Sequence, residues 1–256
     1  MIFIEEDFDT MIRRSVHYNQ KVHDMSQNWI IFKDLYPKNY VQATDFTEKI
    51  PRKLHQIWLG GQLPDKWKKY TETWQILHPT WEYKLWTDED IDNVTIERRD
   101  VFNVATNLGQ KSDILRYEIL RQQGGIYVDT DFECLKPLDD LLFLKFFTGI
   151  TTDADAQLYI GILGSIPNHP IMDTCATSLK FYSGNDGDGV MGATGPYYFT
   201  RCFFASVNEN TGGVVPFPMA FFYPFPNHLR FTEDAYKYIL PCSYAIHHWK
   251  TSWLYP

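Results

Sequence analysis

The stretch that decides the fold is Lys111 to Leu138, KSDILRYEILRQQGGIYVDTDFECLKPL. Its first half has the spacing of an amphipathic helix over 111–123, with Ile114, Leu115, Ile119 and Leu120 on one side. Ser112 or Asp113 can cap the start, and Gly124 supplies the stop. Ile126, Tyr127 and Val128 follow at once and have the β-branched and aromatic character of a strand. That strand, read as 126–129, runs into Asp129 and Asp131, one residue apart. If extended geometry continues, both carboxylates point the same way. Like charges at close range repel unless something positive sits between them. A divalent magnesium or manganese ion does this with oxygen ligands and leaves room for phosphate.

Upstream, 50–61 reads as an apolar strand ended by Gly60 and Gly61. A helix over 65–77 carries Trp67, Tyr70, Trp74 and Leu77 at helical spacing. A second strand covers 81–87, and Thr87 is placed to cap a short helix beginning DEDI. Strands alternating with helices predict an α/β fold with a mixed, mostly parallel sheet. Ligands of such sheets sit at the carboxyl ends of strands, where the two aspartates fall. Residues 5–35 read as one or two helices. Beyond 141 the chain is rich in Gly, Pro, Phe and Tyr. It reads as loops and short strands, with a helix over 169–182 and a short strand before the aromatic end.

The 256 residues carry a net charge of −8 and 44% hydrophobic residues. That is enough apolar material for a sizeable core, and the acidic balance argues against a nucleic-acid partner. The four cysteines show no C-x-x-C pair, which argues against zinc and for reduced thiols. The first residues lack the pattern of a signal peptide, and no run approaches the roughly 20 apolar residues of a membrane span. The expectation is a cytoplasmic or membrane-peripheral protein. A DxDx[TV] phosphatase pattern is disfavoured, because Glu133 stands at the fifth position and the strand is far from the N-terminus.

The segment 111–138 resembles glycosyltransferase family 32, which holds initiating α-mannosyltransferases and capsular sugar transferases. Three further stretches agree, in the family's order: IPRKLHQIWLGGQLP (50–64), GATGPYYFT (192–200) and AIHHWKTSW (245–253). The resemblance implies a GT-A type, Rossmann-like nucleotide-binding domain. Residues 1–48 would be a helical N-terminal extension, 50–140 the nucleotide-sugar half, and 141–256 the acceptor side with a C-terminal metal-binding flap. It implies a retaining, metal-dependent transfer of a hexosyl group from a UDP- or GDP-sugar to a glycan or other hydroxyl acceptor, as in microbial or viral glycan assembly.

By the same resemblance, Ile57 and Trp58 would line the base site. Asp113 would take a ribose hydroxyl, Arg116 would face the donor sugar or diphosphate, and Tyr127 would line the ribose. Asp131, with Asp129, would bind Mn2+ or Mg2+. His247 would complete the ligand set, with His248 as the alternative. Ser252 and Trp253 would reach the diphosphate, although Thr251 stands where the family often has glycine. Residues 153, 155, 186 and 188 supply further aspartates, none of which identifies itself as a nucleophile. A non-catalytic nucleotide-sugar-binding module and a nucleotide-sugar hydrolase are the competing readings.

Overall fold

The structure, a computed structural model, describes residues 7–13, 27–151, 157–182, 187–208 and 210–250. Ser252, Trp253, Asp153, Asp155 and Asp186 lie outside the described residues, as does the side chain of Asp188.

Six strands form the central sheet: β1 (Lys53–Ile57), β2 (Glu82–Trp86), β3 (Gly125–Val128), β5 (Phe146–Thr151), β6 (Gln157–Ser165) and β7 (Val214–Phe217). Their order is β2-β1-β3-β6-β5-β7. β1 runs parallel to β2 and β3, and β5 runs parallel to β7. β6 alone is reversed, against both β3 and β5. The expected α/β class and mixed, mostly parallel sheet are what the chain adopts. A separate ribbon pairs β4 (Phe132–Cys134) with β8 (Ala245–His247), joining the middle of the sequence to its far end.

The helices are α1 (Phe8–Arg13), α2 (Gln27–Tyr36), α3 (Asp65–Leu77), α4 (Arg99–Val104), α5 (Leu108–Gln123), α6 (Pro170–Thr177), α7 (Gly187–Ala193) and α8 (Pro196–Ser206). The 65–77 helix has the expected bounds. The short helix after Thr87 is a 3-10 segment, Asp88–Asn93, closed by a capping box between Thr87 and Asp90. The helix placed at 169–182 stops at Thr177.

α5 begins a turn earlier than expected. Asn107 is its cap, accepting from the Gln110 amide at 3.2 Å, rather than Ser112 or Asp113. The early start leaves Asp113 inside the helix, with its carboxylate aimed at a partner elsewhere. The helix ends at Gly124, and both Gly124 and Gly125 have positive φ, 62° and 96°. A Cβ on Gly125 would lie 2.7 Å from the Lys53 carbonyl oxygen, so glycine is what lets β3 slide in beside β1.

The N-terminal segment is part of the core. Phe8, Trp29, Phe32, Tyr36 and Tyr40 are buried with Phe217 and Phe221 in the same hydrophobic cluster as the sheet. Tyr40 meets Phe217 edge-on at 4.9 Å between centroids. Asn39 clamps the start of β7. Its Nδ2 donates to the Thr211 and Val214 carbonyls, and its Oδ1 accepts from the Gly213 amide, each at 2.9 Å. The four cysteines are buried thiols in no disulfide.

Candidate active site

β3 ends at Val128, and Asp129-Thr130-Asp131 forms a turn, not a continued strand. The Phe132 amide donates to the Asp129 carbonyl at 3.1 Å across it. Strand alternation therefore does not aim the two carboxylates; the turn does. Together with His247 they form a cluster whose ligand atoms all lie within 4.8 Å of one another. Two carboxylates and an imidazole are the oxygen-rich donor set expected of a magnesium or manganese site.

Each acid is held by its own partners. Asp129 accepts from the Tyr127 hydroxyl at 2.6 Å and from Arg116 at 3.3 Å. Burial raises its pKa above the ordinary carboxylate value, against the pull of Arg116. Asp131 faces His247 Nε2 at 3.0 Å and accepts from the Lys250 amide at 2.7 Å. Burial works to raise this second acid too. The imidazole and the amide bond outweigh it and hold Asp131 below its ordinary value.

Arg116 is buried behind the pair. Its guanidinium lies 4.4 Å from the centre of the Tyr127 ring, donates to the Ile160 carbonyl at 2.8 Å, and bridges Asp113 at 3.0 Å to Asp129. The Asp113–Arg116 pair is an interior one, with side chains 9% and 6% exposed. Burial lifts Asp113 to about 6, while its second oxygen accepts from Thr194 Oγ1 at 2.9 Å. Nε of Arg116 is buried with no hydrogen-bond partner among the described residues.

His247 arrives from β8. Its ring stacks on Phe132 at 4.3 Å, directly across the β4–β8 register, and touches Trp249 at 4.1 Å. Its Nδ1 is buried without a partner among the described residues. His248 points the other way. It meets Glu133 at 2.9 Å and stacks on Tyr70, so of the two histidines His247 faces the aspartates. Trp249 adopts a left-handed backbone, φ 53°, anchored by its indole donating to the Phe225 carbonyl at 2.7 Å. That reversal brings the Lys250 amide back onto Asp131.

Ile57 and Trp58 lie at the carboxyl end of β1, beside β3. Ile57 is buried, and Trp58 is half-exposed near Trp67. The Gln56 side chain links this end to the turn by donating to the Asp129 carbonyl at 3.3 Å. The structure thus gathers Asp113, Arg116, Tyr127, Asp129, Asp131 and His247 at one place.

Sequence reasoning missed three neighbours. Thr194, in the TGP stretch, binds Asp113. Gly161 faces the turn so closely that a Cβ would lie 3.0 Å from Asp129 Oδ2. Tyr223 accepts from the Ile162 amide at 3.2 Å beneath the site. The Thr-Gly-Pro spacing was a signal for the first; the other two depend on packing that no local pattern records.

The description "glycosyltransferase sugar-binding region containing DXD motif" matches residues 64–147. The chain is 31% identical over 195 residues to a mannosyl phosphorylinositol ceramide synthase of Saccharomyces cerevisiae, covering 70% of this chain and 50% of that protein. It is 33% identical over 171 residues to an uncharacterized glycosyltransferase of Acanthamoeba polyphaga mimivirus, covering 63% and 66%. Among solved structures, the PaToxG glycosyltransferase aligns with a TM-score of 0.48 at 17% identity, covering 73% and 76%. The chain spans about half the length of the yeast relative. Among the described residues no helix is long and apolar enough to cross a membrane. With the Asp-Thr-Asp turn in the matched region and four motifs in family order, the chain belongs to the DXD-containing glycosyltransferases of the family 32 type.

Proposed function

We propose that the chain is a metal-dependent, retaining glycosyltransferase that moves a hexosyl group, a mannosyl group by analogy with the yeast relative's name, from a nucleoside diphosphate sugar to a hydroxyl of a glycan or glycoconjugate. The observation that carries this reading is the convergence of Asp129, Asp131 and His247 at the carboxyl end of β3. A divalent ion held there would offset the charge that develops on the departing diphosphate.

The protein's own groups do the remaining work. Arg116 pairs with Asp113 and Asp129 at once, and the three would form a charged floor under a bound donor. Such pre-oriented charge acts strongly in a site shielded from water. In this reading Asp113 accepts a ribose hydroxyl, and the half-exposed Trp58 offers a face to the base. Tyr127 fixes the Asp129 carboxylate through its hydroxyl. Ser252 and Trp253 belong to the same proposal as groups reaching the diphosphate. Front-side attack assisted by the leaving phosphate is the route proposed for retention.

The test is incubation with UDP- and GDP-sugars and Mn2+, with and without sugar and inositol-lipid acceptors. Nucleotide release stimulated by one acceptor, with the product anomer matching the donor by NMR, supports the proposal. Binding without turnover would make the chain a nucleotide-sugar-binding module. Release at one rate whatever the acceptor would make it a hydrolase.

A further inference from the structure

Glu133 lies two residues beyond Asp131 and faces away from the acidic pair, and the site as described has no use for it. It nevertheless gathers three separate parts of the chain. One carboxylate oxygen accepts from the Tyr236 hydroxyl at 2.7 Å and meets His248 Nε2 at 2.9 Å. The His248 ring lies flat on Tyr70 of α3, 4.3 Å between centroids and 23° between planes. Tyr236 approaches the same ring edge-on at 6.1 Å. His248 is thus held on three sides, by β4, by α3 and by the 3-10 turn Ala235–Tyr238.

His248 sits between the two groups that hold Asp131. His247 precedes it, and the Lys250 amide follows two residues later. The His248 amide itself donates to the Asp131 carbonyl at 3.1 Å. Fixing the His248 side chain therefore fixes the register of the whole 247–250 segment against the turn. The β4–β8 ribbon is only three residues long on each side, too short to hold that register alone.

We propose that Glu133 is a positioning residue. Through His248 and Tyr236 it clasps the C-terminal segment so that His247 closes on the Asp129–Asp131 pair, and it thereby sets the affinity of the site for a divalent cation. The proposal rests on the metal-site reading above. Groups outside a ligand shell that orient the ligands change metal affinity by about 10–100-fold when removed.

The test uses the full chain and three variants. Glu133→Ala should weaken Mn2+ binding, measured by calorimetry, by about tenfold. It should also speed hydrogen exchange at the His248 and Lys250 amides, with little change in melting temperature. Glu133→Gln keeps an acceptor for both donors and should restore most of the affinity. Tyr236→Phe removes one hydroxyl from a half-exposed ring and should give a smaller loss of the same kind, which keeps the proposal open to refutation if the alanine variant folds poorly. Wild-type exchange at both amides in Glu133→Ala would overturn the clasp. Faster exchange with unchanged Mn2+ affinity would overturn its link to the cation. If the unaltered protein binds no Mn2+, the metal reading falls, and with it that link; the exchange data then decide the clasp alone.

Discussion

The two ends of the described chain are both fastened to the rest of the fold, the first to the central sheet and the second to the β4 ribbon, and the side-chain chemistry of the two fastenings differs. At the N-terminal end, α2 and the turn after it lie on β7 through a layer of aromatic rings, with Asn39 closing the last polar groups of the strand. At the C-terminal end, 245–250 lies against β4 through carboxylates, imidazoles and one amide. Apolar contact of the first kind is non-directional and scales with the apolar area it removes from water. Charged contact of the second kind changes with whatever else occupies the site. The first fastening reads as a cover, the second as part of the machinery, and the difference can be tested from both ends.

The largest effect is expected at the turn. Asp131→Asn should lower metal-dependent turnover of a nucleotide sugar by on the order of 100-fold or more. The melting temperature should stay within a few degrees, because the turn lies at a strand end. Undiminished Mn2+ affinity in that variant, measured by calorimetry, would remove Asp131 from the ligand set.

Arg116→Ala comes next. It strands the buried Asp113, and leaves the part-exposed Asp129, without a counter-charge, at a cost of about 3–5 kcal/mol. Chemical denaturation should show the loss even with no ligand present. A loss of activity at wild-type stability would mean that the guanidinium serves the donor and not the floor beneath it.

Two buried histidines, one in β1 and one capping α6, carry a pH dependence apart from the acidic pair. Burial pushes His55 and His169 down to about 4 from the ordinary 6.5. Both are therefore neutral in the folded chain, while the unfolded chain takes up protons near 6.5. Their stabilising effect is complete above that value and is lost as pH falls towards 4, by roughly 3 kcal/mol for each histidine. Replacing His55 by Gln should flatten the stability profile between pH 4 and 6.5. A profile as steep as before would show that other groups carry it.

At the N-terminal fastening, Asn39→Ala should cost about 2–3 kcal/mol, since it leaves two carbonyls and one amide without their partner. Metal affinity should not move. A matching drop in affinity would erase the distinction between cover and machinery. The smallest effect is expected for Thr194→Val, about 1.5 kcal/mol from the lost bond to Asp113. Nucleotide affinity in that variant should fall more than stability does, as read by titration calorimetry against thermal melting.

How much of this was legible in the sequence follows the same division. The helix over 111–123, the Gly124–Gly125 break and the strand behind it are local signals, and they placed the aspartates at a strand end. The Thr87 cap and the 65–77 helix were legible for the same reason. What local pattern cannot give is a direction set by distant packing. The carboxylates meet through a turn and not through strand alternation. Asp113 is buried by Thr194, 81 residues away. The choice between His247 and His248 depends on Glu133 and Tyr70, which the sequence does not place beside them. The helical extension was read from its spacing, but its membership of the core rests on rings at 217 and 221 that lie far along the chain.

His247 is separated from Asp131 by 116 residues. At the usual pace of synthesis, about 5–20 residues per second, that gap is roughly 6–23 seconds during which the acidic turn exists without its imidazole. A chain still on the ribosome can therefore assemble β1, β2 and β3 and yet lack the imidazole that the proposed metal site needs. The pairing of β4 with β8 brings His247 to the acidic turn only after the intervening residues have been made.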